Sequence, residues 1–160
     1  MADGDMTIRA ATLADYPTLR DVLIATLNVH CQALPDIFRT TETPPPSWEF
    51  VTDLLSQGNG ALLIAEQQEC VVGFLTIRAV AVDHPYVILR RYGVIDHMGV
   101  LADLRRQGIG HGLMMAAHEW ARSQGLTQVR LNVWEFNREA IAFYEALGYT
   151  TISRNMWTTI

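Results

Sequence analysis

Arg105-Arg106-Gln107-Gly108-Ile109-Gly110-His111-Gly112 is the stretch on which the reading of this chain turns. It joins an apolar, strand-like run, Arg91 to Leu101, to a segment from Gly110 to Gln124 in which Leu113, Ala117, Trp120 and Ala121 recur at helical spacing. Three glycines at such a junction leave backbone amides uncovered. The first turn of a helix directs its unpaired N–H groups and positive dipole end outward. A pyrophosphate meets that demand, and Arg105 and Arg106 add guanidinium donors. Taken alone, a glycine-rich turn also serves simply as a tight connection. Two other phosphate loops fit poorly. A dinucleotide fingerprint needs GxGxxG and a carboxylate about twenty residues on, whereas this chain has GxGxG and then Gln128 to Asn132 without an acid. A P-loop needs a lysine, and all twelve cationic side chains here are arginine.

Downstream, Gly125 is a natural stop for the helix. Gln128 to Trp134 reads as a fifth strand, and Asn137 can cap a helix running to Leu147, stopped by Gly148. The tail, Tyr149 to Ile160, is rich in Thr and Ile and is expected to close the sheet. Upstream, Thr7 to Ala11 reads as a short strand and Asp15 to Cys31 as an amphipathic helix carrying Leu19, Val22, Leu23, Thr26 and His30. The stiff connector Thr43-Pro44-Pro45-Pro46-Ser47 precedes a second helix through Leu55, with Ser47 as its cap. Ala61 to Glu66 and Cys70 to Val80 then form an antiparallel hairpin across Gln67-Gln68-Glu69. The order β-α-α-β-β-β-α-β-α-β predicts an α/β fold with a mixed sheet, in which hairpins come first and a βαβαβ crossover last.

The strand, the [Arg/Gln]xxGxG loop and its helix resemble the acetyl-CoA motif of the GNAT superfamily of N-acetyltransferases. A second stretch, Leu131-Asn132-Val133-Trp134-Glu135-Phe136-Asn137-Arg138-Glu139-Ala140-Ile141-Ala142-Phe143-Tyr144-Glu145-Ala146-Leu147-Gly148-Tyr149, is similar to the second signature of that family, in which an Asn opens a helix ending in Tyr-x-x-x-Gly-Phe/Tyr. Among its members, small bacterial proteins similar to ribosomal-protein-alanine acetyltransferases look closest. The resemblance implies one domain over residues 1–160, with a mostly antiparallel central sheet whose fourth and fifth strands splay apart and are flanked by helices. It implies that Met98, Gly99, Val100 and Leu101 pair with the pantetheine arm of acetyl-CoA like an added strand, a mode sheet edges permit. It implies further that Arg105, Arg106, Gln107, Gly108, Ile109, Gly110 and His111 hold the pyrophosphate, that Asn137 and Ala140 lie along the pantetheine, and that Tyr144 protonates the departing thiolate. Asn137, Ala140, Ile141 and Tyr144 do share one helical face.

Attack on a thioester requires a neutral amine, so a base or a water chain must take a proton. Asp96 and His97 are the titratable pair in an otherwise apolar strand, and strand alternation lets only one face the acceptor unless a bulge intervenes. Asp96 is the first choice as base, with His97 and a water chain as alternatives. The loop after the first helix usually walls the acceptor pocket in such proteins, which makes His30, Asp36 and Phe38 the substrate-binding candidates. A capped helix end beside a Pro-turn would account for them as well.

Composition bounds the rest. The chain has 160 residues, 49% of them apolar, enough for one core. A net charge of −5 argues against a nucleic-acid partner. Cys31 and Cys70 lack metal or disulfide spacing and are expected as buried thiols, and no metal is expected. His84, His111 and His118 are expected to face solvent. No apolar run is long enough to span a bilayer and the N-terminus is acidic, so the expected location is cytoplasmic. The functional expectation is an acetyl-CoA-dependent N-acetyltransferase acting on a primary amine, small molecule or peptide α-amine. The alternative is a non-catalytic acyl-CoA-binding module. A homodimer is compatible with either.

Overall fold

The computed structural model describes residues 6–89 and 91–160. Its sheet is built from β1 (Thr7–Ala10), β2 (Gly60–Gln67), β3 (Cys70–Ala81), β4 (Arg91–Val100) and β5 (Val129–Leu131), in that spatial order. The first four strands are antiparallel neighbours and β5 joins β4 in parallel. The helices are α1 (Arg20–Ala33), α2 (Trp48–Ser56), α3 (Ile109–Ser123) and α4 (Arg138–Ala146).

Strand alternation sends side chains to two separate cores. Leu62, Ile64 and Phe74 meet Leu19 at the entry to α1, Val22 and Leu23 of α1 and Val51 of α2. Leu63, Ala65, Leu75, Ile77 and Ile95 meet Ile109, Leu113, Met114, Ala117 and Ala121 of α3. β2 and β3 are therefore apolar on both faces, as a sheet sandwiched between helix layers requires. Each fully buried Leu or Phe contributes roughly 1.5–3 kcal/mol relative to leaving it exposed.

Local signals explain most boundaries. Ser47 Oγ accepts from the Phe50 N–H and caps α2, and Asn137 Oδ1 accepts from the Ala140 N–H and caps α4. Gly125 and Gly148 end their helices at φ +70° and +87°, a region costly for other residues. The β2–β3 hairpin turns on Gln68 and Glu69, both at positive φ, matching the right-handed strand twist.

Four sequence expectations need correction. The first helix is preceded by a 3₁₀ segment, Leu13–Leu19, and becomes α-helical at Arg20; Pro17 lies inside the 3₁₀ stretch. The fifth strand keeps only three of the expected seven residues, Val129–Leu131. Residues 151–160 form no strand and are exposed throughout. Cys70 is exposed at the hairpin and Cys31 half-buried, so neither is a core thiol.

Candidate active site

The site is built around a ladder that stops early. β4 and β5 pair only at Gly93/Val129, Val94/Arg130 and Ile95/Leu131, while β4 runs on to Val100. Beyond Ile95 no strand among the described residues pairs with the β5 side of β4. The Leu101 N–H donates to the Val72 carbonyl at 3.0 Å, so the alternation of an antiparallel ladder turns the backbone of Gly99 toward β3 and that of Met98 and Val100 toward the opening. The Val100 carbonyl accepts from Arg105 Nε at 3.3 Å there.

At the end of this edge the chain makes the 3₁₀ turn Ala102–Leu104 and enters α3 through Arg106 at φ +61° and Gly108 at φ +85°. Gly108 is the N-cap, and no side chain among the described residues caps the helix. The Gly112 N–H reaches back to the Gly108 carbonyl at 2.9 Å, which leaves the amides of Gly108, Ile109, Gly110 and His111 without intrahelical acceptors. Arg106, Gln107 and His111 are exposed around them. Gly110 is where the helix passes the opening closely: a Cβ there would lie 3.2 Å from Met98 Cε and 3.4 Å from Phe143 Cζ. Arg105 also reaches across to α4, 3.9 Å from Glu139.

α4 closes the other side. Its cap Asn137 and Ala140 share a helical face with Tyr144, whose hydroxyl reaches β4 and donates to Met98 Sδ at 3.7 Å. Burial raises the Tyr144 pKa above the usual tyrosine value, so the hydroxyl keeps its proton through the neutral range.

On the α1–α2 face, the ladder between β3 and β4 slips between Thr76/His97 and Ile77/Ile95, leaving Asp96 as a bulged extra residue. The bulge puts both titratable residues on one face, the condition under which strand alternation does not separate them. Asp96 takes a two-pronged hydrogen bond from Arg78, Nε at 2.8 Å and a second guanidinium nitrogen at 3.1 Å. The His97 ring packs edge-on against Phe50 of α2 at 5.5 Å, and its backbone N–H donates to Thr76 Oγ1 at 3.1 Å. Burial lowers the His97 pKa, outweighing the opposite pull of Asp96, which makes the neutral imidazole the form present near pH 7.

The substrate candidates divide. α1 lies hard on β4, since a Cβ at Gly99 would overlap Thr26 Oγ1. One turn later the His30 ring, its Nδ1 3.1 Å from the Thr26 carbonyl, meets Phe38 at 5.2 Å and Phe136 at 5.6 Å. Phe38 in turn meets Trp134 at 5.1 Å. These four rings bridge from α1 and its following loop to the β5–α4 loop. Asp36 is left out, exposed in the turn after α1. An open groove of about 450 Å³ lies alongside, lined by Val29, Gln32 and Ala33 of α1 and by Phe136 to Glu139. Arg78, Trp134 and Phe136 were not anticipated from sequence. A lone arginine inside the apolar Cys70–Ala81 run was the available signal for Arg78; the two aromatics carry no short-range sign of their partners.

His118, expected in solvent, is half-buried and bonded at 2.8 Å to the Tyr149 hydroxyl, whose pKa is pushed up to about 12 by burial and by nearby Tyr144. Among the described residues no group of His, Cys, Asp and Glu could hold a metal ion, and no helix is long and apolar enough to cross a membrane.

Residues 27–149, which include every element of this opening, match the family model of the acetyltransferase (GNAT) family. The chain belongs to that family. Human N-acetyltransferase 8 is 33% identical over 95 residues, 59% of this chain and 40% of that protein, so the match spans less than half of that relative's length. Among solved structures, a tetramutant of the BH1408 protein from Bacillus halodurans has TM-score 0.88 at 23% identity, covering 96% of this chain and 99% of that one. The aminoglycoside N-acetyltransferase AAC(6')-Iy in complex with CoA has TM-score 0.74 at 15% identity, covering 99% and 97%. These structural likenesses establish the GNAT fold, with its mostly antiparallel five-stranded sheet and parallel β4–β5 pair.

Proposed function

We propose that this chain is an acetyl-CoA-dependent N-acetyltransferase acting on a primary amine, small molecule or peptide α-amine. The observation that carries the reading is the opening between β4 and β5, with free strand-edge amides along one wall, an uncapped helix start at one end and the Tyr144 hydroxyl inside. These parts fit acetyl-CoA as a set. The amides of Gly108 to His111, with Arg105, Arg106 and Gln107 beside them, suit a pyrophosphate. The backbone of Met98 and Val100, flanked by Gly99 and Leu101, suits the amides of a pantetheine arm, with Asn137 and Ala140 opposite.

Bound acetyl-CoA supplies the acetyl group as an activated thioester. The residues supply orientation and proton traffic. As the amine nitrogen bonds to the thioester carbon and the carbon–sulfur bond breaks, the amine sheds a proton and the thiolate needs one. Tyr144 donates to the sulfur. On the acceptor side both Asp96 and His97 are available in principle, but the Asp96 carboxylate is occupied by Arg78. The His97 ring has no hydrogen-bond partner among the described residues and is neutral, so we assign it, directly or through a water, to receive the amine proton, with Asp96 and Arg78 holding the bulge. His30 and Phe38 line the acceptor entrance together with Trp134 and Phe136, and Asp36 stands at its outer rim.

The test is to mix purified protein, acetyl-CoA and a panel of primary amines and to follow free thiol. Amine-dependent thiol release supports the enzyme. Saturable acetyl-CoA binding without release for any amine would instead make the chain a binding module, and absence of binding would remove the reading altogether.

A further inference from the structure

We infer that the acceptor is a primary amine with a carboxylate at its far end, held by Arg130 about 10 Å from the reacting nitrogen. The inference rests on the acetyltransferase reading above and names the class of amine within it. Val129 and Leu131 of β5 pack into the α3 core, so Arg130 between them points to the other face, the one on which His97 meets Phe50 of α2. Strand register lays Arg78, Val94 and Arg130 in one row across β3, β4 and β5, with Val80 and Tyr92 in the next. Val80, Tyr92 and Val94 are half-buried and join neither of the two helix-packed cores. They form an apolar shelf that begins beside the bulge at Asp96 and runs toward the start of β4.

Charge on this shelf is unbalanced. The charged side chains that β3, β4 and β5 send to this face are Arg78, Asp96 and Arg130. Arg78 and Asp96 satisfy each other through hydrogen bonds at 2.8 and 3.1 Å. Arg130 is left over. Its guanidinium carbon lies 4.0 Å from the centroid of the Tyr92 ring, and no carboxylate among the described residues pairs with it. Stacking fixes the plane of the guanidinium and leaves its N–H edge open, which presents a fork of the shape a carboxylate accepts. One unpaired guanidinium matches a single negative charge, which favours a carboxylate over a phosphate dianion. The separation sets the length of the acceptor. Val94, level with Arg130, and His97 are about 10 Å apart along the strand. An extended tripeptide spans about 10 Å from its α-amine to its terminal carboxylate, whereas the two groups of an α-amino acid are too close together to reach both places. Such an acceptor sets its amine at His97, its body over Val94 and its carboxylate on Arg130.

The experiment compares triglycine with triglycine amide, which differ only in the terminal charge. Acetyl transfer from acetyl-CoA is followed by free thiol for the full chain and for Arg130→Gln and Arg130→Lys, with circular dichroism to verify the fold, and binding of both peptides to the CoA-saturated protein is measured by calorimetry. The wild type should prefer the free acid by about ten- to a hundredfold in kcat/KM and in affinity, the range a charge-assisted pair supplies. Arg130→Gln should bring the acid down to the level of the amide while leaving the amide and the acetyl-CoA KM unchanged, and Arg130→Lys should keep part of the preference. Equal use of the two peptides by the wild type overturns the inference, and that comparison needs no variant. A loss in Arg130→Gln that falls equally on both peptides overturns it too, making Arg130 a packing partner of Tyr92. Transfer to other primary amines but to neither peptide defeats this inference alone and leaves the acetyltransferase reading standing. No transfer to any amine removes that reading, and the inference with it.

Discussion

Replacing Tyr144 with Phe isolates a single oxygen atom. In the folded chain that hydroxyl makes one long O–H···S contact, 3.7 Å to Met98 Sδ. A neutral hydrogen bond of ordinary geometry contributes about 1 kcal/mol net, and this longer one to sulfur less. The ring stays in place against Phe143 and Tyr149, with centroids at 5.3 and 5.9 Å, so the melting transition is expected to move little. The chemical loss is far larger. A positioned proton donor is worth about 10²–10⁴-fold, or roughly 3–5 kcal/mol on the barrier. Tyr144 is suited to the task because burial raises its pKa, keeping the donor protonated at neutral pH while a thiolate of ordinary basicity, with pKa about 8.5, accepts. Steady-state thiol release should therefore show kcat reduced at least about a hundredfold with the acetyl-CoA KM changed by less than about threefold. The sign on the alkaline side follows too: the protonated form is active, so the wild-type rate should hold up to at least about pH 10 before this group titrates. If kcat and KM both stay at wild-type values, Tyr144 is a packing residue and the proton reaches sulfur by another route.

The remaining expectations address other parts of the site and the core. His97→Gln should lower kcat and abolish the acidic limb of the pH–rate profile, which in the wild type should fall below about pH 6.5 because burial lowers this imidazole's pKa and the neutral form is the active one. Asp96→Asn should leave that limb in place, since its carboxylate already serves Arg78. Gly108→Ala meets no atom within 4 Å but must hold φ +85°, so a stability loss of about 1–2 kcal/mol in urea unfolding and an acetyl-CoA KM raised about tenfold are expected. Leu113→Ala empties a fully buried site of the α3 core and should lower unfolding stability by about 2–5 kcal/mol with an unchanged m-value. Asp15→Asn should lower stability at neutral pH and lose that difference in acid: Arg9 holds the Asp15 pKa down, so the contribution is present above the unfolded value near about 4 and fades as pH falls.

Local rules made much of this legible before any coordinates. The caps at Ser47 and Asn137, the stops at Gly125 and Gly148, the hairpin across Gln68-Glu69 and the glycine loop before α3 are short-range problems with few solutions. A bulge was foreseeable only as a condition, since its position depends on how Thr76 and Ile77 register against β4. The occupant of the Asp96 carboxylate was out of reach for a similar reason: Arg78 is eighteen residues away and meets it only once the hairpin has paired. The ring bridge of His30, Phe38, Trp134 and Phe136 joins segments a hundred residues apart, so half of it was named from the first loop and the other half was not. The tail misled in the opposite sense. Its Thr and Ile content signals a strand, but β-propensity forms none without a neighbour to pair with, and residues 151–160 stay unpaired and exposed.

The three-rung junction of β4 with β5 bears on how such a site tolerates sequence drift. What lines the opening from Met98 to Val100 is mainly peptide groups, which every residue except proline supplies alike. The requirement there is one of direction and spacing, so side chains on this stretch are free to vary to the extent that their own packing allows. The sensitive quantity is instead a count of hydrogen bonds. Were Asn132 and Val133 to continue alongside Asp96 and His97, the two strands would zip together and the cleft would vanish with every proposed catalytic side chain still present. The opening is an interruption maintained by the turn at residues 132–137, and a mutation far from any reacting atom that let this turn straighten would silence the protein by sealing it.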